Sequence, residues 1–206
     1  MIEAFSNGVD IHTSTAAKVF KTPVNEVSRE QRSKAKAVNF GIIYGQSAFG
    51  LSQNLSIPRK EAKAIIDSYF EEYPTIKKYM ENVVAHSREK GYVETILKRR
   101  RYLPDINSSN AIVRGYAERN AVNAPVQGSA ADVIKLAMIK VQNEMDEKGL
   151  KSKMVLQVHD ELIFDVLEAE REVMEKLVKK NMESAVELSV PLDVEYKIAN
   201  NWLEAH

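Results

Sequence analysis

The hydrophobic period of this chain changes at Gly149. Before it, Ile134, Met138, Val141 and Met145 recur at helical spacing along one face of a stretch spanning 111–148. After it, Lys153–Val158 and 162–166 are apolar, β-favouring runs on either side of the polar tripeptide His159-Asp160-Glu161, which is the pattern of a hairpin. Amphipathic helix resumes over 168–188, and 190–198 alternates as a closing strand does. The chain is therefore expected to be α+β, a helical lobe followed by an α+β lobe.

The earlier segments are punctuated by caps and breakers. A short helix is expected over 13–20, ended near Pro23. Ser28-Arg29-Glu30-Gln31 is a capping box and opens the next helix. A short helical piece over 48–55 follows. Pro58 and Pro74 fit the first turns of helices reaching about residue 71 and residue 90, and Gly91 stops the second. Residues 92–97 read as a strand or an extended link, and Pro104-Asp105 breaks the chain again. Pro125 and Gly128 are expected to interrupt the stretch 111–148.

Composition removes several function classes. Lys plus Arg and Asp plus Glu balance at 29 each, so any nucleic-acid affinity must rest on local patches. The absence of cysteine excludes disulfides, Cys-ligated zinc and thiol catalysis. The four histidines, His12, His86, His159 and His206, show no paired metal-ligand spacing. No apolar run reaches membrane-spanning length and the first residues are not a signal peptide, so no membrane partner is expected and a cytoplasmic protein is the default.

Five features carry chemistry. Arg32, Lys36, Phe40 and Tyr44 fall four apart, and on a helix each step of four turns only about 40° and rises about 6 Å. They form one slanted stripe, two cations followed by two aromatic rings. Cations suit a phosphate chain and a ring suits a nucleobase, so the stripe matches an extended nucleoside triphosphate. The alternative is a solvated cationic face with aromatics turned to the core. At the hairpin tip Asp160 can hold Mg²⁺ with Glu161 beside it, or the tip is a plain polar turn. Arg119, Asn123 and Gln127 are hydrogen-bond donors suited to minor-groove acceptors, or a polar solvent face. His12 touches a phosphate, or is a helix-cap or core residue. Lys98-Arg99-Arg100-Arg101-Tyr102 is a nucleic-acid patch, or a solvated or targeting-like charge run.

Taken together, these segments resemble the C-terminal part of family A DNA polymerases over essentially the whole chain. Arg32, Lys36, Phe40-Gly41 and Tyr44-Gly45 are similar to the family's second conserved motif, on the fingers helix, and His159-Asp160-Glu161 to its third, in the palm. Supporting stretches are Asp10-Ile11-His12-Thr13, Gly91-Tyr92-Val93-Glu94-Thr95, Arg99-Arg100-Arg101-Tyr102-Leu103-Pro104-Asp105 and the run from Asn123 to Asp132.

The resemblance implies a fold and a set of roles. The fold would be the helical fingers and part of the antiparallel-sheet palm of a right-hand polymerase. The reaction would be transfer of a dNTP to a primer 3′-OH. Arg32 and Lys36 would grip the triphosphate, with Lys36 the general acid for the leaving pyrophosphate. Phe40 would pack on sugar and base, Tyr44 would guard the nascent pair, and His12 would reach the phosphates. Arg119, Asn123, Gln127, His159 and Arg100 would lie along primer–template DNA. Asp160 would hold Mg²⁺ in a two-metal site, with Glu161 beside it as an auxiliary catalytic carboxylate.

One departure shapes the expectation. The family's other metal-binding aspartate lies in a motif resembling Asp-Tyr-Ser-Gln-Ile-Glu, and nothing like it occurs in this sequence. The chain is expected to be a fragment of a longer, nucleoid-associated enzyme. The remaining palm, thumb and exonuclease domains would lie in the parent chain. The palm sheet would be incomplete without the upstream strands, and the fragment is expected to be nearly inactive alone. A non-catalytic DNA-binding remnant is the alternative function. A helical scaffold with a coincidental basic stripe is the third reading.

Overall fold

The computed structural model describes residues 1–205, so His206 lies outside the described residues. Capping chemistry sets the order of helices in the first half. After the short helix α1 (Ile2–Ser6), Asp10 caps α2 (Ile11–Val19) by accepting from the Thr13 amide at 2.6 Å. The capping box forms as its sequence requires at α3 (Arg29–Ile43). Ser28 Oγ accepts from the Gln31 amide at 3.1 Å, and Gln31 Oε1 accepts from the Ser28 amide at 2.9 Å. Ser47 caps α4 (Ala48–Leu55), and Pro58 precedes α5 (Arg59–Glu72). Pro74 opens α6 (Pro74–Lys90), and Gly91 closes it at φ +78°.

Helices α2 to α5 bury one apolar cluster. Val19, Val38, Ile42, Leu51, Ala62, Ile65, Tyr69 and Tyr73 form it, and Tyr69 stacks obliquely on Tyr73 with centroids 5.0 Å apart. Lys34 of α3 ties this packing at the surface by pairing with Glu61 of α5 at 3.1 Å.

The basic cluster, which carries no strand signal in the sequence, supplies half of a small hairpin. β1 (Tyr92–Glu94) pairs antiparallel with β2 (Arg100–Tyr102), with Tyr92 opposite Tyr102. The charge of Arg100 is absorbed locally: its guanidinium lies 4.4 Å from the Tyr92 ring centre, and its Nε donates to Glu94 Oε1 at 3.0 Å. This hairpin, α6 and the first half of α7 (Ala111–Glu147) enclose a second core of Val93, Leu103, Ile106, Ala117, Ala121 and Ala124.

Helix α7 runs unbroken through Pro125 and Gly128, where an interruption was expected. Proline in a helix interior costs about 3 kcal/mol in isolation. Here the residues around it are held by tertiary contacts. Ala121, Val122 and Ala124 are buried, and Ser129 Oγ donates back to the Pro125 carbonyl at 2.5 Å while accepting from the Ile96 amide at 3.0 Å. Gly128 has a packing role instead of a breaking one. A Cβ there would stand 2.5 Å from Thr95 Cγ2, and its carbonyl accepts from Arg99 Nη2 at 3.0 Å.

The chain divides into two compact units, Met1–Ser129 and a second beginning at Ala130, and the α+β expectation holds. In the second unit, β3 (Lys153–Val158) and β4 (Glu161–Asp165) form the expected hairpin, pairing only with each other. The ladder is irregular between Met154 and Leu156, because Met154 faces Phe164 while Leu156 faces Ile163, leaving Val155 as a bulge. Glu170 clamps the entry to the hairpin. Its carboxylate accepts from the Lys151 amide, the Ser152 amide and Ser152 Oγ, the last two at 2.8 and 2.6 Å. These donors hold its pKa below the usual carboxylate value. Val141 and Met145 of α7 pack with Met174 and Leu177 of α8 (Arg171–Glu183) to form the core of this unit.

Two further expectations fail here. The helix expected to reach residue 188 ends at Glu183, because Ser184 Oγ donates back to the Lys180 carbonyl and Lys140 Nζ takes the Ser184 carbonyl. Residues 190–198 form no strand despite their alternation. A strand exists only with a ladder partner, and the segment is tied instead by side chains: the Val194 amide to Glu183 and the Tyr196 hydroxyl to Glu175. A last short helix, α9 (Trp202–Ala205), follows.

The contact between Gly128 and Thr95 yields a test. Gly128→Ala gains helix propensity but drives its methyl into Thr95 Cγ2, for a net loss of about 1–2 kcal/mol in urea unfolding. In a Thr95→Ser background, which removes that methyl and keeps the hydroxyl bonded by the Arg99 amide, the same substitution is expected to stabilise.

Candidate functional site

The buried residues of α3 are Ala35, Val38, Asn39, Gly41 and Ile42, and that choice of face turns the cation–aromatic stripe outward. Arg32 and Lys36 are exposed, Phe40 is 46% exposed, and Tyr44, at the C-terminal cap, is 51% exposed. The two rings are therefore not turned to the core. Lys36, Phe40 and Tyr44 line a cleft of about 730 Å³ together with Gln46, Asn54 and Arg119.

Gly45 makes this cleft possible. Its φ of +66° is a left-handed turn, and a Cβ would stand 2.9 Å from Arg119 Cγ and 3.2 Å from Arg119 Cα. No other residue lets the end of α3 lie so close to α7. The close approach brings the first member of the Arg119, Asn123, Gln127 stripe into the wall that carries Tyr44. Arg119 also lies 5.8 Å from the Tyr116 ring centre. Asn123 is half-buried, with its amide nitrogen buried and unpartnered, and Gln127 is exposed.

The first cation of the stripe is engaged by the preceding helix. Arg32 Nη2 meets Asp10 Oδ2 at 2.6 Å, while Asp10 Oδ1 caps α2. The guanidinium, followed by the Thr13 amide, holds the Asp10 carboxyl far below the usual carboxylate range. Lys36 has no anionic partner among the described residues. One turn into α2, His12 Nδ1 lies 3.1 Å from Asn39 Nδ2, and its ring centre lies 5.7 Å from that of Phe40. Burial lowers the His12 pKa, the nearby Arg32 and Lys36 push the same way, and Asp10 opposes them. His12 therefore sits beside the stripe and is not merely a helix cap.

In the second unit, His159 and Asp160 form the two-residue turn between Val158 and Glu161. His159 adopts φ +53°, and Gln157 Nε2 donates to its carbonyl at 2.6 Å. Asp160 and Glu161 are exposed. They offer hard oxygen donors on a rigid turn, which suits a divalent cation. No cluster of three or more potential ligands occurs among the described residues, so the pair fits one side of a metal site and not a closed cage. Arg100, on β2 of the first unit, is committed to Tyr92 and Glu94.

Sequence reasoning assigned no role to Asp10, Asn39, Gly45 or Gln46. Two of them left a trace. Asp10 stands three residues before Thr13, the spacing of an N-cap, and Asn39 is a lone amide on an otherwise apolar helix face.

The sequence model described as DNA polymerase family A matches residues 1–204. The chain is 55% identical over 207 aligned residues to a DNA polymerase I of Streptococcus pneumoniae serotype 4, covering 100% of this chain and 24% of that protein. It is 52% identical to DNA polymerase I of Bacillus subtilis strain 168, again covering 100% of this chain and 23% of the relative. The chain thus spans about a quarter of the length of the curated relatives it matches. Among solved structures it is similar to the POL domain of Pol1 from M. smegmatis in complex with DNA primer-template and dNTP. The TM-score is 0.89 at 48% identity, covering 93% of this chain and 34% of that one.

The pair of Arg32 and Asp10 has a defined pH signature. A carboxyl whose folded-state pKa is depressed contributes stability above its ordinary value of 3.8, and that contribution fades as pH falls toward the folded-state value. Asp10→Asn keeps the cap and removes the charge. The difference in Tm between wild type and variant is expected to be constant above pH 3.8 and to shrink below it. A difference independent of pH down to the most acidic folded conditions would exclude the ion pair.

Proposed function

The chain belongs to DNA polymerase family A, and from that premise we propose that it is the nucleotide-gripping and DNA-holding part of a DNA-directed DNA polymerase. One observation carries the reading: Lys36, Phe40 and Tyr44, turned outward from α3, share a single cleft with Arg119 of α7. A phosphate-binding cation, two base-stacking rings and a minor-groove donor then meet at one place. In this reading residues 11–100 are the fingers-like lobe and 101–206 the palm-like part, in a cytoplasmic, nucleoid-associated enzyme. No described helix is long and apolar enough to cross a membrane.

The reaction is attack of a primer 3′-OH on the α-phosphate of a dNTP, with pyrophosphate leaving. Arg32 and Lys36 bind the polyphosphate by charge-assisted hydrogen bonds. Lys36, whose ammonium has no competing carboxylate among the described residues, gives its proton to the departing pyrophosphate. Phe40 packs on the sugar and base, and Tyr44 covers the place where the new pair forms. His12 donates to a phosphate oxygen. Arg119, Asn123 and Gln127 line up along α7 as donors to the minor-groove edge of the primer–template end. Arg100 meets the DNA backbone, and His159 lies beside the primer terminus. Asp160 holds Mg²⁺, with Glu161 beside it as an auxiliary catalytic carboxylate. When bound, the metal supplies Lewis-acid stabilisation of charge developing on the phosphate oxygens.

The two carboxylates at the hairpin tip are too few to enclose two metal ions, so the remaining ligand comes from the other part of the palm. The parent's remaining palm, thumb and exonuclease domains are its partners. The chain alone is therefore inactive or nearly so.

Primer extension with Mg²⁺ and dNTPs tests this. No product is expected from the chain alone, and product is expected when the polymerase segment carrying the second palm aspartate is added. Robust synthesis by the chain alone would overturn the account of the metal site. Lys36→Ala is expected to weaken dNTP binding by about tenfold while leaving duplex binding intact. Unchanged dNTP binding in Lys36→Ala would favour a DNA-binding remnant without chemistry.

A further inference from the structure

Asn39 is the polar exception on the buried face of α3, and it is only 7% exposed. A buried amide there requires a reason, because it costs free energy unless its hydrogen bonds are met. Its partners are Thr15, wholly buried in α2, and His12. Asn39 Nδ2 lies 3.2 Å from Thr15 Oγ1 and 3.1 Å from His12 Nδ1, and Asn39 Oδ1 accepts from the Thr15 hydroxyl at 3.3 Å.

The chemistry of these atoms assigns the proton on His12. An amide nitrogen has two N–H donors and no lone pair to offer. With the amide nitrogen turned toward His12, as it is here, His12 Nδ1 is the acceptor. Its proton then sits on Nε2, the nitrogen on the far side of the ring. We infer that Asn39 is a positioning residue that holds His12 with Nδ1 occupied and Nε2–H left as the donor toward the phosphate chain. This rests on the proposed role of His12 at the polyphosphate.

The charged groups around His12 fit this assignment. Arg32 and Lys36 on α3 disfavour a second proton, and partial burial does the same. Asp10 on α2 works against them, but its carboxylate is engaged by Arg32 and the Thr13 amide. The neighbouring Asn39, Thr15 and Phe40 carry no charge. His12 is thus a neutral donor. It adds a directed hydrogen bond to the polyphosphate without adding a third cation to a helix face that already carries two.

Nitrogen-15 NMR of the labelled chain tests the tautomer directly, because the Nδ1 and Nε2 resonances separate the two neutral forms from the cation. The exposed His86 and His159 serve as internal references. Wild-type His12 is expected to show an unprotonated Nδ1 and a protonated Nε2 at neutral pH, with a titration midpoint below the ordinary histidine value of 6.5. Asn39→Asp puts an acceptor opposite Nδ1, so the proton is expected to move there and the midpoint to rise by about one pH unit or more. Asn39→Ala is expected to give a mixture of tautomers. A wild-type His12 that is charged at neutral pH, or that carries its proton on Nδ1, overturns the inference. So does an unchanged His12 spectrum in a folded Asn39→Asp or Asn39→Ala variant. The wild-type spectrum decides the matter even where the variants do not fold. Adding inorganic tripolyphosphate separates this inference from the functional reading. The Nε2–H resonance is expected to move on binding. A correct tautomer with no response to tripolyphosphate would sink the role of His12 at the phosphates and leave the positioning role of Asn39 standing.

Discussion

Burial of one face of α3 is the constraint on which the rest of the cleft depends. Ala35, Val38 and Ile42 lie against α2, α4 and α5, and their burial fixes the rotation of the helix about its axis. Once that rotation is fixed, Arg32, Lys36, Phe40 and Tyr44 have nowhere to go but outward. The capping box fixes where the helix begins. Gly45 fixes where it stops, by admitting the backbone of Arg119 to within van der Waals distance. Position, phase and termination of one helix thus convert a four-residue spacing into a lined cleft.

The electrostatics of the stripe are not those of two independent cations. Asp10 serves two helices at once, capping α2 with one oxygen and engaging Arg32 of α3 with the other. The order of the stripe therefore becomes an order of availability: among the described residues Arg32 is shared with a carboxylate and Lys36 is not, and His12, its pKa lowered by burial, lies nearby. An anion entering such a site meets one unshared positive charge first. The arrangement keeps the like-charge repulsion between Arg32 and Lys36 tolerable on a helix where residues four apart are neighbours.

Much of this was legible in the sequence, for identifiable reasons. Caps and breakers act locally, so the starts of α3, α5 and α6 and the end of α6 could be read from Ser28, Pro58, Pro74 and Gly91. The stripe and the His159-Asp160 turn were readable because spacing alone defines them, whereas the direction the stripe faces had to wait for the packing of α3. Failures came where a distant contact overrides a local signal. Pro125 reads as a break until Ser129 and the buried alanines around it are counted. Residues 190–198 read as a strand because alternation is visible in one dimension and a ladder partner is not. Asn39 was passed over because its partner lies 27 residues away.

The bulge at Val155 has a consequence for how this segment tolerates changes in length. Strict alternation would put Met154 and Leu156 on the same side of β3. The extra residue shifts the phase, so that Met154 pairs with Phe164 and Leu156 with Ile163, its neighbour on the opposite face. Everything beyond the bulge, the His159-Asp160 turn included, is half a pleat out of step with what lies before it. A one-residue deletion on the inner side of the turn would therefore not shorten the hairpin so much as invert its tip, carrying the carboxylate of Asp160 to the other side of the sheet. A substitution along β3 leaves this phase intact, whereas the gain or loss of one residue there changes it.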